Sequence, residues 1–189
     1  MGANCVACGT SHGREHSEGP YLNPTEKALI QDLWRNLIGN DPHCEVITKR
    51  IMDAKSALTR LAMTAANQFM FGQMEGRLRR QHAEIARFLT GLILNLDLDE
   101  RDVALACEEF GADDAETEIR EGNNATCAIQ EVSIFFSHLL GHIVETNQHN
   151  AVLINAWKKF ATFTIHTMKD GAYWAEERWG VHLQTHAVD

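Results

Sequence analysis

The chain has 189 residues, 44% of them apolar, with a formal charge of -9. That length fits one domain with a tail and is enough for a full core, which excludes a disordered chain. The acidic balance argues against a sequence-independent nucleic-acid binder, which needs a basic face to displace counterions. No apolar run approaches a membrane-spanning length. The start, Met1 to Pro20, lacks the apolar core of a secretory signal. Five cysteines (Cys5, Cys8, Cys44, Cys107 and Cys127) form an odd, irregularly spaced set. A reducing, cytoplasmic setting follows, in which the Asn124-Ala125-Thr126 sequon stays unused.

Residues 1–20 are rich in Gly, Ser and His and read as a flexible tail. A domain over 21–178 and a second tail over 179–189 complete the expected organisation. Asn23, Pro24 and Glu26 spell a capping box with proline at the first helical position. Leu29, Ile30, Leu33, Trp34 and Leu37 follow at helical spacing, and Gly39-Asn40-Asp41-Pro42 ends the helix. A second helix is expected from about His43 to Met63, with Val46, Ile47, Ile51, Leu58 and Leu61 as its stripe. Residues 64–76 are less regular.

The third helix covers about Arg77 to Leu96, its stripe being Leu78, Ile85, Phe88, Leu89, Leu92 and Leu96. A short helix from Val103 to Phe110 is predicted to stop at Gly111. The acidic, Gly- and Asn-bearing stretch 112–124 then reads as a loop. Two long helices follow, from about Cys127 to Thr146 and from about Ala151 to Trp174. With no internal repeat and no strand pattern, the prediction is an all-α bundle of six to eight helices. Trp34, Trp157, Phe135, Phe136 and Phe160 fall on apolar stripes and belong to the core.

Several segments resemble globins of the divergent, nematode-like kind. They are Leu22-Asn23-Pro24-Thr25-Glu26-Lys27 with Trp34, then Gln81-His82-Ala83 through Leu92 with Asn95-Leu96-Asp97. Ala156-Trp157-Lys158-Lys159-Phe160 with Met168-Lys169-Asp170-Gly171-Ala172-Tyr173 completes the set. The resemblance covers about Leu22 to Trp174. It implies helices packed at about 50° around a heme pocket. It also implies that His82 faces the iron, as a hydrogen-bond donor to bound oxygen or as a metal ligand. Met63, Phe88 and Phe135 are the other residues expected to line that pocket.

The chain departs from the family in two places. The corner that should carry a heme-contacting phenylalanine falls near Leu61, Ala62 or Met63. The iron-ligating histidine is missing, because no histidine lies between His82 and His138. Its place falls near Asp113 or Asp114 counted forward, or near Gly122 to Asn124 counted backward. Carboxylates and amides are poor axial donors, and Cys107 and Cys127 are the only soft donors in that window. His138 and His142 lie four apart on one helix face and read as surface or partly buried histidines rather than a metal pair.

Two functions therefore stay open. One is a heme protein that binds a diatomic gas such as oxygen through atypical iron ligation. The other is a heme-free sensor or protein-interaction domain, whose sign would be a pocket filled by side chains such as Met63, Phe88 and Phe135. An enzyme is not indicated: there is no phosphate loop, nucleophile elbow or credible acid–base pair. The start Met1-Gly2-Ala3-Asn4-Cys5-Val6-Ala7-Cys8 invites membrane attachment through acyl groups on Gly2 and Cys5, although Val6 stands where the motif wants Ser or Thr. The same stretch offers Cys5, Cys8, His12 and His16 as zinc-type ligands, and an unstructured tail is the third reading.

Overall fold

The computed structural model describes residues 21–59, 65–122 and 124–186. It is an all-α bundle of six helices: α1 (Pro24–Asn40), α2 (Glu45–Thr59), α3 (Ala65–Leu94), α4 (Glu100–Arg120), α5 (Thr126–Thr146) and α6 (Ala151–His186). No strand occurs among the described residues. None of the described helices is long and apolar enough to cross a membrane.

The start of α1 forms as its sequence dictates. The Asn23 side chain accepts from the Glu26 amide at 2.9 Å, and the Glu26 carboxylate accepts from the Asn23 amide at 2.9 Å. Both otherwise orphaned donors are satisfied, an effect worth about 1 kcal/mol. Glu26 also receives the Lys159 ammonium of α6 at 2.6 Å, so one carboxylate caps a helix and ties two helices together. That ammonium, with the Asn23 amide, holds the Glu26 carboxyl below its usual range. At the other end Asp41 closes α1 and opens α2, its two oxygens accepting from the amides of Glu45 and Val46 at 2.8 Å each.

Helices α1, α5 and α6 meet around the aromatic residues expected in the core. Trp34 lies 6.0 Å from Trp157, Trp157 meets Phe160 edge-on at 5.6 Å, and Phe136 meets Phe160 edge-on at 6.2 Å. Each such pair adds roughly 0.5–1.5 kcal/mol to the burial of its rings. Polar bonds fix the neighbouring crossing of α1 and α3. The Trp34 indole N–H donates to the Thr90 hydroxyl at 3.1 Å, and the Gln31 amide donates to the Ile93 carbonyl at 3.2 Å. Val46 departs from the expected stripe of α2: it is exposed, whereas Ile47 and Ile51 are buried.

The stretch from Gly111 to Arg120 corrects the sequence reading. It is not a loop but the second half of α4, which runs unbroken for 21 residues. Asp99 caps its start, and Glu100 and Asp102 place negative charge on its first turn. Alanines and glutamates along the stretch keep helix propensity high, and no proline interrupts. The true stop is Gly122, at φ +80, which glycine adopts without strain.

Gly111 is tolerated inside α4 because α6 passes directly over it. A Cβ there would lie 2.8 Å from the Met168 Cα, and a Cβ on Gly171 would lie 2.8 Å from the Glu108 Cα. The two glycines let the backbones touch. Contacts farther along show that α4 and α6 run parallel: Cys107 faces Thr164 near one end, and Arg178 pairs with Glu116 at 3.3 Å near the other. Helix α3 runs antiparallel to α4, with Phe88 beside Phe110 and Arg77 paired with Glu118. Helix α6 itself continues to His186, past the Trp174 end that the sequence suggested.

Candidate functional site

His82 sits in the middle of α3 and is fully buried. It points between α2 and α5. Its Nδ1 is 3.2 Å from the Thr48 hydroxyl, and its ring lies 5.5 Å from that of Phe135. Nε2 is buried without a hydrogen-bond partner. Burial, with Lys55 and His138 nearby, lowers its pKa to about 4, although Glu131 pulls the other way. The imidazole is therefore neutral at physiological pH, and protonating it would leave a cation inside the bundle.

Of the four residues expected around a heme, two come together. His82 and Phe135 are in contact. Phe88, six residues after His82, projects from a different face of α3 and stacks on Phe110 of α4 with centroids 4.1 Å apart. Met63 lies outside the described residues, as do Gly2 and Cys5.

Phe88 belongs to a groove of about 560 Å³ between α3 and α4. The helices stand apart here, and the stacked pair of Phe88 and Phe110 spans the gap. Polar residues of the lining include Glu84, Arg87, Asn95 and Asp102. Asp114, the forward-counted place for an iron ligand, lies one turn beyond Phe110 on α4. Its Oδ2 is buried without a partner. Burial, then Glu118 and Glu84, raises its carboxyl to about 6 against the pull of Arg77.

Heme iron requires imidazole, thiolate, thioether or phenolate as an axial donor. The lining of the α3–α4 groove supplies none. His82 is not among the residues that line the α3–α4 groove. Cys107 is buried, and burial, chiefly, lifts its thiol to about 12, so it is not a ready thiolate. Cys127 is half-buried at the start of α5. His138 and His142 are both half-buried on α5, and His142 lines a groove with Asn36, Asn40 and Asn147. His166 is exposed. No cluster of three or more His, Cys, Asp or Glu suited to a metal ion occurs among the described residues.

Two features escaped the sequence reading. One is the α3–α4 groove with its aromatic stack, hidden because Phe110 was placed at a helix end rather than inside a helix. The other is an apolar groove of about 580 Å³ between α5 and α6, lined by residues including Ile129, Ile134, Lys169, Tyr173 and Glu176. A helical-wheel reading of α6 past Met168 would have shown Tyr173 and Trp174 turning outward. Compared with known proteins, the chain matches no family model, no curated protein and no solved structure.

Proposed function

We propose that this chain is a globin-like helical bundle that works without heme, as a protein-interaction domain. One observation carries the reading. Phe88, one of the residues expected to line a heme pocket, instead stacks on Phe110 at 4.1 Å across the gap between α3 and α4, away from His82 and Phe135. The gap is thus filled from within, one residue from each wall, and its rim of Glu84, Arg87, Asn95 and Asp102 has no axial donor. His82 acts in this reading as an interior polar residue that joins α3 to α2 through Thr48. The amino-terminal Gly2 and Cys5 support attachment of the domain to the cytoplasmic face of a membrane through acyl groups.

A second reading keeps the heme and a bound gas such as oxygen. The unpartnered Nε2 of His82 favours it, since a buried imidazole nitrogen without a hydrogen bond is available to a ligand. An absorption spectrum after hemin addition separates the two. The heme-free reading expects only broad absorption, lost on desalting and unchanged in His82→Ala. A sharp Soret band with resolved low-spin bands, altered by His82→Ala, would overturn it.

A further inference from the structure

Helix α6 places two large aromatic side chains in solvent next to each other. Tyr173 is 58% exposed and Trp174 59%, and their rings meet edge-on at 6.1 Å. Beside Tyr173 runs the groove between α5 and α6. Ala125, Ile129, Ile134 and Ala172 make its surface apolar, and Lys169 and Glu176 are its charged members on α6. Both of these charged residues are exposed. An apolar patch with a charged rim is the usual form of a protein-binding surface.

The spacing on α6 selects the occupant. Lys169, Ala172, Tyr173 and Glu176 share one face of the helix, with the two charges separated by roughly 10 Å along the axis at 1.5 Å per residue. A two-fold axis passing between Ala172 and Tyr173 reverses this order onto itself. Lys169 then meets Glu176 of a second copy, Glu176 meets Lys169 of that copy, and each Tyr173 meets an Ala172. Self-complementarity under a half-turn is the requirement of an isologous dimer interface.

We propose that two copies of this chain pair through the α5–α6 groove, with the two α6 helices antiparallel. The inference gives the protein-interaction reading its partner, and it rests on that reading. Tyr173, which lines the groove and is exposed, supplies the aromatic area that anchors such interfaces. The two Lys–Glu pairs set the register and exclude a parallel arrangement, in which like charges would face each other.

The test is sedimentation velocity of the full chain over a concentration series, with circular dichroism to confirm that each variant folds. Wild type is expected to dimerise. Lys169→Glu and Glu176→Lys, each placing like charges together at two symmetric points, are expected to weaken the dimer at least about tenfold. The double variant, which swaps the charges, should regain most of that loss, and Tyr173→Ser should weaken the dimer without altering helicity. A wild-type monomer at every concentration would overturn the proposal, as would a dimer indifferent to either single reversal or a double variant no better than the singles. Failure of this kind is distinguishable from failure of the heme-free reading, because the hemin spectrum reports on heme uptake and on His82, not on the association of copies through α6.

Discussion

Helix α4 has two long neighbours and treats them differently. Against α6 it lies backbone to backbone, with Gly111 and Gly171 removing the side chains that would hold the helices apart. Against α3 it stands off, and the distance is bridged by the stacked rings of Phe88 and Phe110 and by the ion pair of Arg77 with Glu118. The first seam gains from many dispersion contacts and tolerates no added atoms. The second leaves a groove, a half-buried carboxyl at Asp114 and a glycine, Gly91, with open space around it. One helix therefore presents a fixed edge and a looser one.

The contrast breaks most readily at the tight seam. Gly171→Ala drives a methyl group into the Glu108 backbone, which cannot move aside as a side chain would. A loss of about 3 kcal/mol is expected, at the upper end for overpacked sites, and urea denaturation monitored by helicity would check it. A loss below about 1 kcal/mol would mean that the helices separate easily and the two seams are alike.

On the open seam, Asp114→Asn should stabilise. The folded-state carboxyl is raised to about 6 from an ordinary 3.8. The charged form is thus disfavoured in the fold, so its relative stability is complete below pH 3.8 and is lost as pH rises through 6. After a discount for partial exposure, Asn should add about 1–2 kcal/mol at pH 7 and nothing near pH 3. Thermal melts at the two pH values give the comparison, and an equal effect at both would remove burial as the cause.

The smallest effect sharpens the same contrast. Gly91 lies in the exposed interior of α3 with nothing within 4 Å of an added Cβ. Gly91→Ala should stabilise by about 0.5–1 kcal/mol through helix propensity. The same chemical change thus carries opposite signs on the two flanks of the α3–α4–α6 layer.

Much of the architecture was legible because it is written in local rules. The Asn23 and Glu26 box, the stop at Asp41-Pro42 and the apolar stripes of α3, α5 and α6 appear where the sequence puts them. Gly111 misled because a glycine's reason for being in a helix is not local. Met168, 57 residues later, explains it. The acidic run that followed looked like a solvated loop, yet it is part of a helix in which Ala115 and Glu118 are buried and Asp114 is half-buried. The direction of His82 was not legible, because it depends on Thr48 and Phe135 arriving from two other helices. Phe88 looked like its companion, being on the same helix, and turns to α4 instead.

The order of assembly follows from the glycine crossing. Helix α3 is α4's neighbour in sequence and its looser partner in space, whereas Gly111 must wait for Met168, well beyond the whole of α5. A chain emerging from the ribosome can close the α3–α4 hairpin early and gains little by doing so. The strongest grip on α4 becomes available only once the first half of α6 has been made, at the entropic cost of a long closed loop. Folding of this domain is then governed by a late, non-local docking step. Until that step, the face of α4 that carries Gly111 stays bare to solvent, to chaperones and to the wrong partners.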